Sequence, residues 1–484
     1  MRKNAVLMVV AIVVILGIAL FGIYNIIISP GRQETSEVKQ LKPISLKIMS
    51  TWSQWGCDDF NRYFFAESGM PRVGVVLPSA SMRLNITNIS FIRIEDPKVW
   101  KAAGINGSVD GFIGQNRYNI TILCREGALH PIDDPEILAL ARDVPELLKG
   151  YTDDGRLCWI AMFFVPYTWL VNTDYANKYG LEVPSSWIDL IKPEYVAVIT
   201  KGGNVVAAYP VTNRAPMMNT VNTLLSKYGW EKGWTLISVI FGSISRLETG
   251  TRQARDSISF GKALLTVLEF GDAYTAYSMF PDKLRIIFPR NETGFWFTPI
   301  AIAARTTDDG LEGMYRLIRW VLTEAQDKMF LNRTGWSFYI PVLGYNNTNP
   351  RIIYRDPAIT NLYASPVNME LVLGEAAPAI ALYGDTIIAD QDVRELLRIV
   401  VNRIVEKYIN REIVLEEYYR YLDMVGQPVE FIDPLTGGKT VFTLDKAREL
   451  GNAIRNNSVD IEKLRSTFKD AIISKLNILI QNLG

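Results

Sequence analysis

Trp159-Ile160-Ala161-Met162-Phe163-Phe164-Val165, and after a two-residue interval Thr168-Trp169-Leu170-Val171, is the stretch from which the fold class follows. Both runs are apolar and rich in aromatic and β-branched residues, the composition that suits a buried strand. Upstream, Ser45–Ser50, Val73–Leu77 and Val109–Ile113 are shorter runs of the same kind, and Glu136–Leu148 has helical spacing. Downstream, Val196–Thr200 reads as a strand followed by a Gly202-Gly203 turn, and Asn219–Tyr228 and Gly233–Phe241 read as helices. Phe295–Ala303 reads as a further strand. After it, Leu311, Tyr315, Ile318, Leu322, Ala325 and Met329 recur at intervals of three and four, which marks an amphipathic helix. Strands alternating with helices predict an α/β fold with a largely parallel sheet covered on both faces.

The last third is helical in pattern. Val393, Leu396, Leu397, Val400, Ile404 and Tyr408 form one stripe, with Asp392 and Glu395 placed as a capping box. Gly426–Gly438 is rich in turn residues. Asp460–Leu483 is amphipathic, and its charges at Lys463, Arg465, Lys469, Asp470 and Lys475 suit a helix docked on the protein rather than one that spans lipid.

At the other end, Arg2 and Lys3 precede an apolar run from Ala5 to Ile28, closed by Ser29-Pro30-Gly31. A bilayer core of about 30 Å needs roughly 20 helical residues, and an ordinary signal h-region has only about 7–15. The expectation is an uncleaved anchor over residues 1–30, a polar linker over 31–43, and the bulk of the chain outside the cell. No cysteine precedes Cys57, so N-terminal lipidation has no acceptor.

Lys+Arg and Asp+Glu number 51 each, a balance that gives no electrostatic reason for a nucleic-acid partner. The single histidine argues against His-rich metal sites and His-dependent catalysis. Cys57, Cys124 and Cys158 permit one disulfide, and the sequence leaves all three pairings open. Asn-x-Ser/Thr sequons at Asn85, Asn88, Asn106, Asn119, Asn291, Asn332, Asn346 and Asn456 fit a glycosylated surface protein. His-Glu-x-x-His, P-loop and Gly-x-Ser-x-Gly patterns are absent from the sequence, so an enzyme is not expected.

Four stretches, in order, resemble the extracellular solute-binding proteins of ABC importers, in the branch that includes ferric-iron binders. They begin with Val109-Asp110-Gly111-Phe112-Ile113-Gly114 followed by Glu126–Ile132. The most specific is Val171-Asn172-Thr173 with Val183-Pro184-Ser185-Ser186-Trp187-Ile188-Asp189-Leu190-Ile191-Lys192-Pro193-Glu194-Tyr195. Gly261–Ala273 and Pro299–Ala304 with Glu324-Ala325-Gln326 complete the set, and Gly335–Pro341 adds a weaker likeness. The resemblance implies a two-lobed, periplasmic-binding-protein-like (type II) fold, here with an N-terminal transmembrane helix and a helical C-terminal extension. Lobe 1 is expected at 44–165 with 293–345, lobe 2 at 167–290 with part of 346–390, and a helical C-terminal region at 391–484. It implies capture of a small polar solute or ion between the lobes and delivery to an ABC permease, with no cofactor. A surface structural or adhesion protein that reuses this fold is the alternative.

Ligands of such sheets sit beyond strand ends, where helix N-termini present N–H groups. That places Thr51, Trp52 and Ser53 after the first strand, Ser79 and Ser81 after the second, and Gln115 after the third as candidates. Tyr167 at the crossing, the Thr249-Gly250-Thr251 turn, Asp272 and Tyr274 are the others. Capping the next helix is the plainer role for Thr51, Ser79 or Thr249. Tyr274 and Tyr277 are not adjacent, Tyr418-Tyr419 falls outside the matched region, and His130 reads as structural, so iron has no specific support.

Overall fold

The computed structural model describes residues 41–65, 79–212, 215–289, 291–326, 340–341 and 374–484. Ile44–Gly484 form one unit. The expected anchor and the run Val73–Leu77 lie outside the described residues. Among the described residues, no helix is long and apolar enough to cross a membrane.

The first part of the chain alternates β1 (Ile44–Ser50), α1 (Gln54–Phe65), α2 (Ala80–Leu84), β2 (Ile86–Arg93), α3 (Pro97–Asn106), β3 (Gly111–Ile113) and α4 (Arg117–Arg125). Then come β4 (Leu129–His130), α5 (Pro135–Ala141), β5 (Lys149–Tyr151) and β6 (Leu157–Asn172). After β6 follow α6 (Thr173–Tyr179), α7 (Pro193–Thr200), α8 (Ala215–Tyr228), α9 (Trp230–Ile237) and α10 (Thr251–Ser259). Next are β7 (Leu265–Glu269), α11 (Phe270–Met279), β8 (Leu284–Ile287), β9 (Phe295–Ala303), α12 (Asp308–Leu322) and β10 (Ile340–Pro341). The chain closes with α13 (Ala377–Ile388), α14 (Gln391–Ile409), α15 (Leu415–Gly426), β11 (Glu430–Ile432), β12 (Lys439–Val441), α16 (Leu444–Arg455) and α17 (Ile461–Leu483).

The two apolar runs that opened the sequence analysis are one strand, β6, buried along its whole length. It belongs to two sheets. Trp159–Pro166 pairs antiparallel with β9, while Tyr167–Val171 pairs antiparallel with β7 and Trp169–Asn172 with β8. The main strand order is β10-β6-β9-β3-β1-β2. The sheet is mixed rather than largely parallel: β1 runs parallel to β2 and β3, but β6 and β9 are antiparallel to their neighbours. Periodicity reports burial, not strand direction, which is why the sequence misled here.

Each sheet has its own core. The first holds Leu46, Phe60, Trp100, Phe112, Phe163 and Ile302, closed by α12 through Met314, Leu317 and Val321. Thr307 caps α12 by accepting from the Gly310 N–H at 3.1 Å, and Asp308 and Asp309 complement the dipole in the first turn. Cys124 and Cys158 form the disulfide and tie α4 to β6, while Cys57 stays a buried thiol whose pKa burial raises. The second core joins Trp169, Trp187, Trp234 and Leu268 to Tyr383, Val400, Tyr418 and Phe468 from the C-terminal helices and Phe442 from the loop after β12. The helix α17 docks by Leu464, Phe468, Ile472 and Leu476. Its Lys475 ammonium donates to the Val425 and Gln427 carbonyls, each at 2.7 Å, at the open end of α15.

Other expectations need correction. Val196–Thr200 is helical, because Pro193 at the first helical position opens α7 and Tyr195, Val196, Val198 and Ile199 bury at helical spacing. The strand β2 was missed: only Ile86 and Ile89 are buried in it, so its pattern is not a clean alternation. The cap of α14 is Asp390, which accepts from the N–H groups of Asp392 at 3.0 Å and Val393 at 3.2 Å, rather than an Asp392–Glu395 box. Among the sequons, Asn88, Asn106 and Asn456 are exposed, with Asn88 donating to Ser45 at 3.3 Å, whereas Asn119 donates its side-chain amide to Gln115 at 2.8 Å. Asn85 adopts a left-handed φ of 49° as the cap of α2, and Asn291 is half-buried with φ 59°. Asn332 and Asn346 lie outside the described residues.

Candidate ligand site at the junction of the two sheets

The chain passes between the sheets at Pro166-Tyr167 and returns before β9. The Tyr167 N–H donates to the Gly294 carbonyl at 2.9 Å, so the outgoing and returning segments are bonded where they cross. Tyr167 also accepts from the Asn219 amide at 3.0 Å and pairs in register with Glu269.

A line of aromatic rings leads from the first core to that point. The Trp52 ring, in the loop after β1, stacks on Phe163 at 6.3 Å. Phe163 meets Trp296 edge-on at 5.8 Å. Trp296 faces the Glu269 carboxylate at the end of β7. Burial pushes that carboxylate up to about 7, repulsion from Asp272 adds to the shift, and Trp296 partly opposes it. Asp272, one turn into α11, is raised by burial and held back by Arg255 at 3.7 Å. Helix α11 itself bridges the two cores: Phe270 and Tyr274 pack against the first, Ala273 and Ala276 against the second.

A second contact links the halves away from the crossing. Tyr118 on α4 lies 5.5 Å under the Arg455 guanidinium of α16, and its hydroxyl is 3.5 Å from Glu375. Arg455 donates to the Glu375 carbonyl at 3.0 Å and also to the Gly374 carbonyl. Burial and the Glu375 charge raise the Tyr118 pKa.

The sequence candidates divide into two groups. Trp52, Tyr167, Asp272 and Tyr274 lie around the junction. The others have local duties. Thr51 Oγ1 accepts from the Gln115 N–H at 3.2 Å. Gln115, at a φ of 71°, donates to the Glu95 carbonyl at 2.8 Å and accepts from Asn119, so its amide is occupied within its own half. The neighbouring Gly114 is required, since its φ is 109° and a Cβ there would overlap Thr51 Oγ1. Ser53 accepts from the Gly56 N–H at 3.2 Å at the start of α1. Ser79 caps α2, and its hydroxyl is bonded to that of Ser81 at 2.8 Å. Thr249 is exposed, Gly250 is extended, and Thr251 opens α10, whose Arg255 reaches Asp272 one turn later. Phe163, Trp296, Arg255 and Glu269 were missed. An acid ending a strand just before a helix, as Glu269 does, was the available signal.

Among the described residues, no group of three or more His, Cys, Asp or Glu could hold a metal ion. His130 is bonded to the adjacent Pro131 carbonyl at 2.6 Å, and the buried Tyr418 hydroxyl donates to the Ile191 carbonyl at 3.0 Å.

Residues 112–349 match the family model described as a bacterial extracellular solute-binding protein. Over those residues, just under half of the chain, the sequence is similar to that family. No curated protein matches the sequence. Solved structures similar to this chain include the open ferric iron-binding protein A of Mannheimia haemolytica (TM-score 0.49, 13% identity, 71% of this chain and 98% of that one). Apo FutA2 from Synechocystis PCC6803 gives a TM-score of 0.49 at 12% identity, over 72% of this chain and 99% of that one. AfuA from Actinobacillus pleuropneumoniae, with fructose-6-phosphate bound, gives 0.42 at 14% identity, over 73% and 96%.

Proposed function

We propose that this protein is a membrane-anchored extracellular receptor that captures a small polar solute between two lobes and delivers it to an ABC permease. In this reading lobe 1 comprises 44–165 with 293–345, and lobe 2 comprises 167–290 with part of 346–390, extended by 391–484. The apolar run Ala5–Ile28 is the anchor, and the exposed Asn106 and Asn456 are the sequons best placed for a glycan. The protein performs no covalent chemistry.

The observation that carries the reading is the shared strand β6, with Glu269 and the Trp52–Phe163–Trp296 line gathered where it changes sheets. A strand common to two sheets is a hinge of the kind that closes around ligands. Its crossing point puts aromatic faces and a half-buried carboxylate within reach of one small molecule. Trp52, Trp296, Tyr167, Glu269, Asp272 and Tyr274 are the proposed contacts, with Thr51, Ser53, Ser79, Ser81, Gln115, Thr249, Gly250 and Thr251 shaping the surrounding loops. The Tyr118–Arg455 contact fits a closed arrangement.

A thermal-shift screen with sugars, polyamines, oxyanions and metal ions tests the claim, since a solute that binds only the folded form raises the melting temperature. At least one hit is expected, weakened at least about tenfold by Trp52→Ala or Glu269→Gln. Silence across the library, with self-association on a dilution series, would favour the structural or adhesion alternative. Carbonate extraction of membranes should leave the full chain in the pellet and release a chain lacking residues 1–30.

A further inference from the structure

A second groove, sharing no residue with that junction, lies where the start of α7 meets the end of α14 and the start of α15. It encloses about 510 Å³, within the size range of small-molecule sites. Its walls combine three kinds of group. Tyr408 and Tyr419 offer ring faces, held apart by the buried Tyr418, which contacts them at 5.3 Å and 5.2 Å. Pro193, Ile409 and Leu415 supply apolar surface, with Ile409 56% and Leu415 45% exposed. The charged groups are Lys192 and Glu194.

Those charges are not equivalent. Lys192 is bound to Asp189 at 2.7 Å, which neutralises it. Glu194, in the first turn of α7, is exposed and forms no ion pair or hydrogen bond among the described residues. With Lys192 bonded to Asp189, the groove therefore presents a carboxylate that no group bonds directly, beside two tyrosine rings and an aliphatic floor. An ammonium gains from the rings as well as the charge, and an apolar body gains from the floor. A sugar would need several converging donors and acceptors, and the groove supplies one carboxylate and two phenols. An anion would meet the unpaired charge of Glu194.

From this geometry we infer that the groove between α7, α14 and α15 binds an organic ammonium cation with an alkyl body, independently of the junction site. Glu194 supplies the counter-charge, and Tyr408 and Tyr419 supply the cation–π faces.

Choline is the probe, titrated into the full chain by calorimetry, with glucose as the neutral control. Saturable choline binding is expected, weakened about fivefold or more by Glu194→Gln and by Tyr419→Ala. Glu269→Gln should leave it unchanged, which separates this groove from the junction. Glu194 is exposed, so Glu194→Gln should keep the parent melting temperature and report on binding alone. Absence of saturable choline binding, indifference to both groove variants, or equal competition by glucose would each overturn the assignment.

Discussion

The core around β1, β3 and β9 draws mainly on residues 44–165 and 297–325, with Phe270 and Phe288 added, and a disulfide ties α4 to β6 within it. The core beneath β7 draws on residues 167–284 and then, after a long interval of sequence, on helices α13 to α17. The first half is thus closed by chain that lies near its strands or returns through β9 and α12. The second is completed only when the last helix docks. The two halves have been finished in two ways: a local staple for one, and imported helical surface for the other. The family match ends at residue 349, before any of those helices begins.

The most severe way to break this contrast is to delete Gln391–Gly484. The deletion removes Val400, Ile404, Tyr418, Phe442 and Phe468 from the second core. At about 1.5–3 kcal/mol for each large apolar side chain, these five alone contribute roughly as much as a typical net stability of about 5–15 kcal/mol. Hydrogen exchange should show β7 and β8 losing protection while β1 and β3 keep theirs.

A single residue tests the same interface. Gly426 ends α15 against α9, where a Cβ would overlap the Thr235 backbone. Gly426→Val should cost more than about 3 kcal/mol, measured by denaturant unfolding, because backbone cannot yield as a side chain can. The corresponding test in the first half is Cys158→Ala. The Cys124–Cys158 link spans a sequence separation of 34, so its loss should cost about 3–4 kcal/mol and loosen the first half selectively.

The smallest expected effect is at the junction. Folding raises the Glu269 carboxylate from 4.5 to about 7. The unfolded chain therefore releases this proton at lower pH than the folded one. The stability it contributes is complete below about 4.5 and is lost as pH rises through 7. Glu269→Gln should remove that slope and, with solvent reaching part of the carboxylate, stabilise the apo-protein above pH 7 by on the order of 2 kcal/mol. Melting temperatures across pH 4–9 read the difference.

Legibility in the sequence followed the strength of local signals. The runs of β6, the strand β9, and the helices α12, α14 and α17 were readable because each has an unbroken apolar pattern. The strand β2 was not, since Thr87, Asn88 and Ser90 face solvent and interrupt it. In Val196–Thr200 a β-branched run was overridden by Pro193 and by burial on a helical face. Trp52 was legible as a site candidate because it follows a strand run, Tyr167 because it sits at the crossing, and Asp272 through the family resemblance. Their partners Phe163 and Trp296 were not, because a long-range meeting of two strand interiors leaves no local trace. Disulfide pairing stayed open for the same reason, and the helices that fill the second core showed their stripes without showing their destination.

A ribbon threaded through both sheets also offers a handle for sensing. The strand β6 has 16 residues and, at roughly 3.3 Å each, spans about 50 Å. In the proposed two-lobed reading its middle would be the pivot, with each end carried by one lobe. Fluorophores fixed near those ends would turn a bend of a few degrees at Pro166 into an optical signal, and the receptor would become its own gauge of cargo.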